Sequence, residues 1–265
     1  MNLFKLILGA LLAMLLGPAA AQDKTCAMVL IHGKWGNTAY ISHFGRRIEA
    51  VCAFKAIEMP WSTRRAYDIA YPDAIEEIAK EVEAFRAQGF KKIVIGGHSF
   101  GVNAGLAYMA TKANADAVLG LGPGHSPRTM FNRGMNKEAI LKARGLVKEN
   151  KGDEKVSFVD LNQSNTRSFS RSATIFLSYF DPEGLGTMSV SAAAFKKGVP
   201  VMIVVCTRYP VINFTKAEIY PNLPSNPLNK LVIVDGDHDS TVEAAVPFAL
   251  EWLKEISDPV FCALK

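Results

Sequence analysis

The sequence predicts an α/β fold: a mostly parallel sheet of about six strands flanked by helices, with a helical insertion late in the chain. Three observations carry this. Short β-branched and apolar runs alternate with amphipathic helical stretches. The composition, 49% hydrophobic and 21% charged over 265 residues, is that of a folded globular chain large enough to bury a substantial core. One interval, residues 126–198, is far too long for an ordinary strand-to-helix connection.

The elements follow in order. Cys26–Ile31 is an apolar run bounded by His32-Gly33 and reads as a buried parallel strand. Residues 40–51 carry Ile41, Phe44, Ile48 and Val51 at helical spacing. A second strand, 54–59, ends at Pro60. Residues 73–87 form an amphipathic helix with Ile75, Ile78, Val82 and Phe85 on one face. A third strand, 92–96, leads into Gly97-His98-Ser99-Phe100-Gly101 and a helix of small residues, 102–111. Strands at 115–121, 199–205 and 231–234 and a last helix over 240–256 complete the series. Within 126–198, helices are expected near 137–149, 171–180 and 188–197, joined by the polar run 149–155. This reads as a cap over one edge of the sheet, with a separate domain as the alternative.

The termini and charge narrow the setting. Lys5, the apolar run Leu6–Leu16, the break at Gly17-Pro18 and the small residues Ala19–Ala21 have the layout of a secretory signal peptide over 1–21, cleaved near Ala21. The apolar run falls short of the roughly 20 residues a transmembrane helix needs, so no stable membrane anchor is expected. The mature domain then starts at residue 22, in the periplasm or outside the cell. A net charge of +5, from 30 Lys+Arg against 25 Asp+Glu and with no basic run, argues against nucleic acid as a partner. Cys26, Cys52, Cys206 and Cys262 are too widely spaced for a zinc site, while export permits disulfides.

Three strand ends carry chemistry. Gly97–Gly101 is a G-x-S-x-G between a strand and a helix, where a sharp turn exposes Ser99 as a nucleophile. His32–Gly36 follows the first strand, so the main-chain N–H groups of Lys34 and Phe100 are the natural donors of an oxyanion hole. Asp235–Ser240 follows the last strand and offers His238 as general base, with His125 as the competing histidine. Trp35, Trp61 and Phe100 are candidates for an apolar acyl pocket, and Arg64 or Arg65 for holding an anionic group. A solvated loop with core aromatics is the plainer reading of the same residues.

These placements, in this chain order, resemble the α/β-hydrolase superfamily in a compact, lipase- and esterase-like form. The resemblance covers nearly all of residues 26–256. It implies a hydrolase with Ser99 as nucleophile, His238 as base and a lid in the insertion, acting on a small-molecule ester without cofactor or metal. It also places the first and second strands side by side, which favours a Cys26–Cys52 disulfide and leaves Cys206 near the opposite edge.

One departure is serious. The family's acid follows the strand before the histidine strand, and here Tyr209 stands at that position. Asp181, Glu218, Asp235 and Asp237 are the substitutes considered, alongside a dyad with no acid. Two readings follow: a secreted carboxylic-ester hydrolase, and a catalytically impaired or purely binding protein on the same fold.

Overall fold

The computed structural model describes residues 24–257. The expected signal peptide and Cys262 lie outside the described residues. The strands are β1 (Cys26–Ile31), β2 (Ala53–Ile57), β3 (Lys92–Ser99), β4 (Ala117–Pro123), β5 (Lys155–Asn162), β6 (Asn165–Ser172), β7 (Val201–Cys206) and β8 (Lys230–Val234). Six of them form one sheet in the order β2-β1-β3-β4-β7-β8, every neighbouring pair parallel. The inner strands β1, β4 and β7 are buried along their whole length, as continuous apolar runs covered on both faces must be.

The main helices are α1 (Thr38–Ile48), α2 (Tyr71–Ala87), α3 (Phe100–Thr111), α4 (Pro127–Asn132), α5 (Lys137–Lys148), α6 (Ala173–Phe180), α7 (Met188–Ala193) and α8 (Val246–Ser257). On one face of the sheet α1 and α8 bury Ile41, Phe44, Ile48, Trp252 and Leu253. On the other face α2, α3 and the helices of the insertion share a second core. Asn37 caps α1 through its side chain, which accepts from the Ala39 N–H at 2.9 Å. α3 is buried through Ala110 because α7 lies over it, which explains a helix built from Gly, Ala and Val rather than an amphipathic one.

The expected helix over 240–256 is instead a short turn, Thr241–Ala244, followed by α8. The insertion holds the three expected helices, somewhat shorter, and also an antiparallel hairpin, β5–β6, that was not expected. Val156, Phe158 and Asp160 alternate inward along β5, a period-2 pattern partly hidden by the acidic member.

Cys26 and Cys52 are joined in a disulfide with Cα atoms 4.6 Å apart, as the resemblance implied. Cys206, at the end of β7, is a buried free thiol. No helix among the described residues is long and apolar enough to cross a membrane.

Candidate active site

A parallel sheet sends all its C-terminal strand ends to one edge, so the loops after β1, β3, β4, β7 and β8 meet there. Ser99 closes β3 with a left-handed backbone, φ 56° and ψ −113°. For a non-glycine residue this is strained and is tolerated only where the surroundings dictate it. They do so by close approach. A Cβ on Gly97 would fall 2.2 Å from the Gly101 carbonyl carbon, and one on Gly101 would fall 2.3 Å from the Ile31 carbonyl oxygen. Both glycines let strand, turn and helix pack at distances that no side chain permits.

His238 stands on the loop after β8 and is buried. Its Nδ1 has no hydrogen-bond partner among the described residues. The Tyr209 ring lies 4.3 Å away, centroid to centroid, and the His98 ring 4.6 Å away. His98 donates from Nε2 to the His238 carbonyl at 3.3 Å. Burial lowers the pKa of His238, opposed by the nearby charges of Asp239 and Asp237. Burial, reinforced by His238, takes His98 down to about 3, so it is neutral at physiological pH. Ser99 and His238 line one cleft of about 240 Å³ together with Lys34, His98 and Asp239. They share no direct hydrogen bond among the described residues.

Lys34 follows the His32-Gly33 turn. His32 Nε2 accepts from the Met59 N–H at 2.9 Å, which assigns the ring proton to Nδ1, donated to the Gly33 carbonyl at 2.7 Å. No acceptor among the described residues takes the Lys34 N–H. Phe100 starts α3, and its side chain is buried between Trp61 (4.4 Å) and His125 (3.9 Å). Trp61 and Phe100 are therefore core residues rather than walls of an acyl pocket. Trp35 packs against Phe169 and lies under the Arg167 guanidinium, 5.0 Å from the ring centre. Arg64 pairs with Glu58, and Arg65 with Asp68 and Glu77, so neither is left to hold a substrate anion.

A second, larger cleft of about 350 Å³ is also lined by Ser99. It is bordered by α4, by Met135 and by the segment after Tyr209, including Val211 and Phe214. Lys34, Ser99, Asn162 and Gln163 line both clefts, so the tip of the β5–β6 hairpin borders both. His125 borders the larger cleft, with Nε2 donating to the Tyr179 carbonyl at 2.8 Å and Nδ1 buried without a partner among the described residues.

The considered acids are otherwise engaged or exposed. Asp181 is held by Arg144 in the insertion, at 2.6 and 3.0 Å. Asp235 binds Thr207 and Arg208, Asp237 caps the following turn through Ser240, and Glu218 is exposed. None hydrogen-bonds His238 among the described residues. The residue missed from sequence is Asp239. One of its carboxylate oxygens and one ring nitrogen each of His98 and His238 lie within 4.8 Å of one another. Its signal was plain position, immediately after the histidine. This trio is also where a divalent cation would find two imidazoles and a carboxylate.

Solved structures share this fold over almost the whole chain. GrgF, an α/β hydrolase from a Penicillium species, superposes with a TM-score of 0.64 at 15% identity, covering 88% of this chain and 90% of that one. The chain has the α/β-hydrolase fold. A monoacylglycerol lipase from Paleococcus ferrophilus gives 0.61 at 18% identity, over 87% of this chain and 94% of its own. A soluble variant of monoglyceride lipase from Saccharomyces cerevisiae, solved with a substrate analogue, gives 0.63 at 15%, over 90% and 89%. The sequence itself matches no family model and no curated protein. At these identities the likeness is one of α/β-hydrolase architecture.

Proposed function

We propose that this α/β-hydrolase-fold chain is an exported serine hydrolase acting on small-molecule carboxylic esters. The observation that carries the reading is Ser99: a strained, left-handed serine at the β3–α3 junction, lining one cleft with a buried histidine. Ser99 Oγ attacks the ester carbonyl while His238 takes its proton. The N–H groups of Lys34 and Phe100 receive the developing oxyanion, with the α3 N-terminus behind them. His238 then protonates the departing alcohol, and water repeats the sequence on the acyl-enzyme. The lowered pKa of His238 keeps it in the base form at neutral pH. The chemistry needs no cofactor and no metal. A disulfide at Cys26–Cys52 is compatible with an oxidising compartment.

The second reading, a weakened or purely binding protein, is favoured by one observation, the unpartnered His238 Nδ1 beside Tyr209. An imidazolium formed there lacks the carboxylate that orients and stabilises it, an absence that costs about 10⁴ in turnover in the serine proteases.

A fluorophosphonate probe and a series of p-nitrophenyl esters separate the two. Labelling that disappears in Ser99→Ala, with ester turnover lost in step, supports the hydrolase. Folded wild-type protein that neither labels nor turns over ester would sink it.

A further inference from the structure

The buried pair Lys34–Asp160 joins the loop after β1 to the hairpin of the insertion. Lys34 Nζ donates to Asp160 Oδ1 at 2.6 Å and to the Leu161 carbonyl at 3.0 Å. Asp160 is fully buried and its carboxylate is saturated. Oδ2 accepts from Tyr67 Oη at 2.6 Å and from Trp35 Nε1 at 3.2 Å, and Oδ1 also takes the Leu161 N–H at 2.8 Å. From the same hairpin, Asn162 Nδ2 donates to the Lys34 carbonyl at 3.1 Å. Trp35, the next residue, is left-handed with φ 58°.

Lys34 is thus gripped at its ammonium group and at its own carbonyl by one hairpin, and the following indole is held by the same carboxylate. Those contacts fix the chain on one side of the Lys34 N–H. A main-chain donor stabilises an oxyanion only when its direction is set before the charge develops. Swinging the hairpin away would strand a buried ammonium and a buried carboxylate without partners, which is far costlier than exposing a surface pair.

We infer that Asp160 and Asn162 are positioning residues for the oxyanion-binding loop, so the β5–β6 hairpin is a fixed wall of the site and not a lid. The inference rests on the hydrolase reading above. Aligned donors serve an oxygen anion better than the larger, softer sulfur anion of a thionoester, so the rate ratio between matched p-nitrophenyl oxo- and thionoesters reports that alignment. The ratio is independent of how much enzyme is folded.

In Asn162→Ala and Asp160→Asn the ratio should fall at least fivefold, kcat on the oxoester should drop tenfold or more, and KM should change less than threefold. Should Asp160→Asn not fold, Lys34→Met with Asp160→Leu removes both charges at once and carries the same expectation. Wild-type protein active on the oxoester, with ratios unchanged in every folded variant, overturns the positioning role and leaves the hydrolase standing. Wild-type protein inert to both esters removes the hydrolase reading and this inference with it.

Discussion

The Tyr209 ring packs against the His238 ring at 4.3 Å, and the inward nitrogen of that histidine, Nδ1, meets no hydrogen-bond acceptor among the described residues. A phenol thus covers one side of an imidazole that otherwise feels the charges of Asp239 and Asp237. Tyr209→Asp places a carboxylate on the loop at the end of β7, beside the ring. Turnover of p-nitrophenyl butyrate should rise about tenfold or more, toward the contribution a triad acid makes. The acid limb of the pH–rate profile should move upward, because a nearby anion raises the pKa of an imidazole. Unchanged kinetics in a folded variant would assign the supporting role elsewhere, with Asp239 first to test.

Gly124 offers a test of how finely Ser99 is placed. A Cβ there would fall 2.4 Å from Ser99 Oγ. Gly124→Ala should cut kcat/KM about 100-fold by displacing the hydroxyl, the scale of loss that a 1 Å misplacement produces. Fluorophosphonate labelling should slow in parallel while the melting temperature stays close to wild type. Wild-type labelling kinetics would show that the serine tolerates the crowding.

The pH dependence of activity has a determined sign. In the proposed mechanism the base is neutral His238, and burial lowers its pKa from 6.5, so the acid limb of kcat/KM should fall below pH 6.5. Stability follows the same direction for the buried histidines. His98 titrates at about 3 when folded but near 6.5 when unfolded, so the unfolded chain binds more protons between those values. The stability is full above the unfolded pKa and is lost as pH falls from 6.5 toward 3. His32, His125 and His238 are shifted the same way, largest by burial. Thermal melts from about pH 7.5 to about pH 4.5 should give a flat plateau and then a declining midpoint. A constant midpoint across that range would contradict the assignment of these rings as buried and neutral.

The disulfide closes the segment between the starts of β1 and β2, a sequence separation of 26. Constraint of the unfolded chain by a loop of that size contributes about 3 kcal/mol, or a melting shift of about 10 °C for a chain of this length. Cys26→Ala with Cys52→Ala should lower the midpoint by that amount and leave turnover of p-nitrophenyl esters unchanged, since the bond sits at the edge of the sheet opposite Ser99. A loss of turnover at temperatures where the variant is folded would contradict that separation.

The sheet was legible because its strands are continuous apolar runs such as Cys26–Ile31 and Val201–Cys206, which parallel burial on two faces demands. Ser99 was legible because a strand, two glycines and a helix start leave one geometry for the residue between them. The hairpin was not, because its decisive core position is an aspartate and β6 is almost wholly polar, Asn-Thr-Arg-Ser-Phe-Ser-Arg-Ser. Buried charge is invisible to hydrophobic periodicity; only the distant partners Lys34, Trp35 and Tyr67 make Asp160 an interior residue. The roles first considered for Arg64 and Arg65 failed for the mirror reason, since Glu58 and Glu77, which hold them, lie six and twelve residues away in sequence.

Asn162 and Gln163, at the tip of the β5–β6 hairpin, border both clefts of about 350 and 240 Å³, as does Ser99. A change at either amide therefore reaches both clefts at once, whereas a change at Met130 or Phe214 reaches the larger alone and one at Tyr40 the smaller alone.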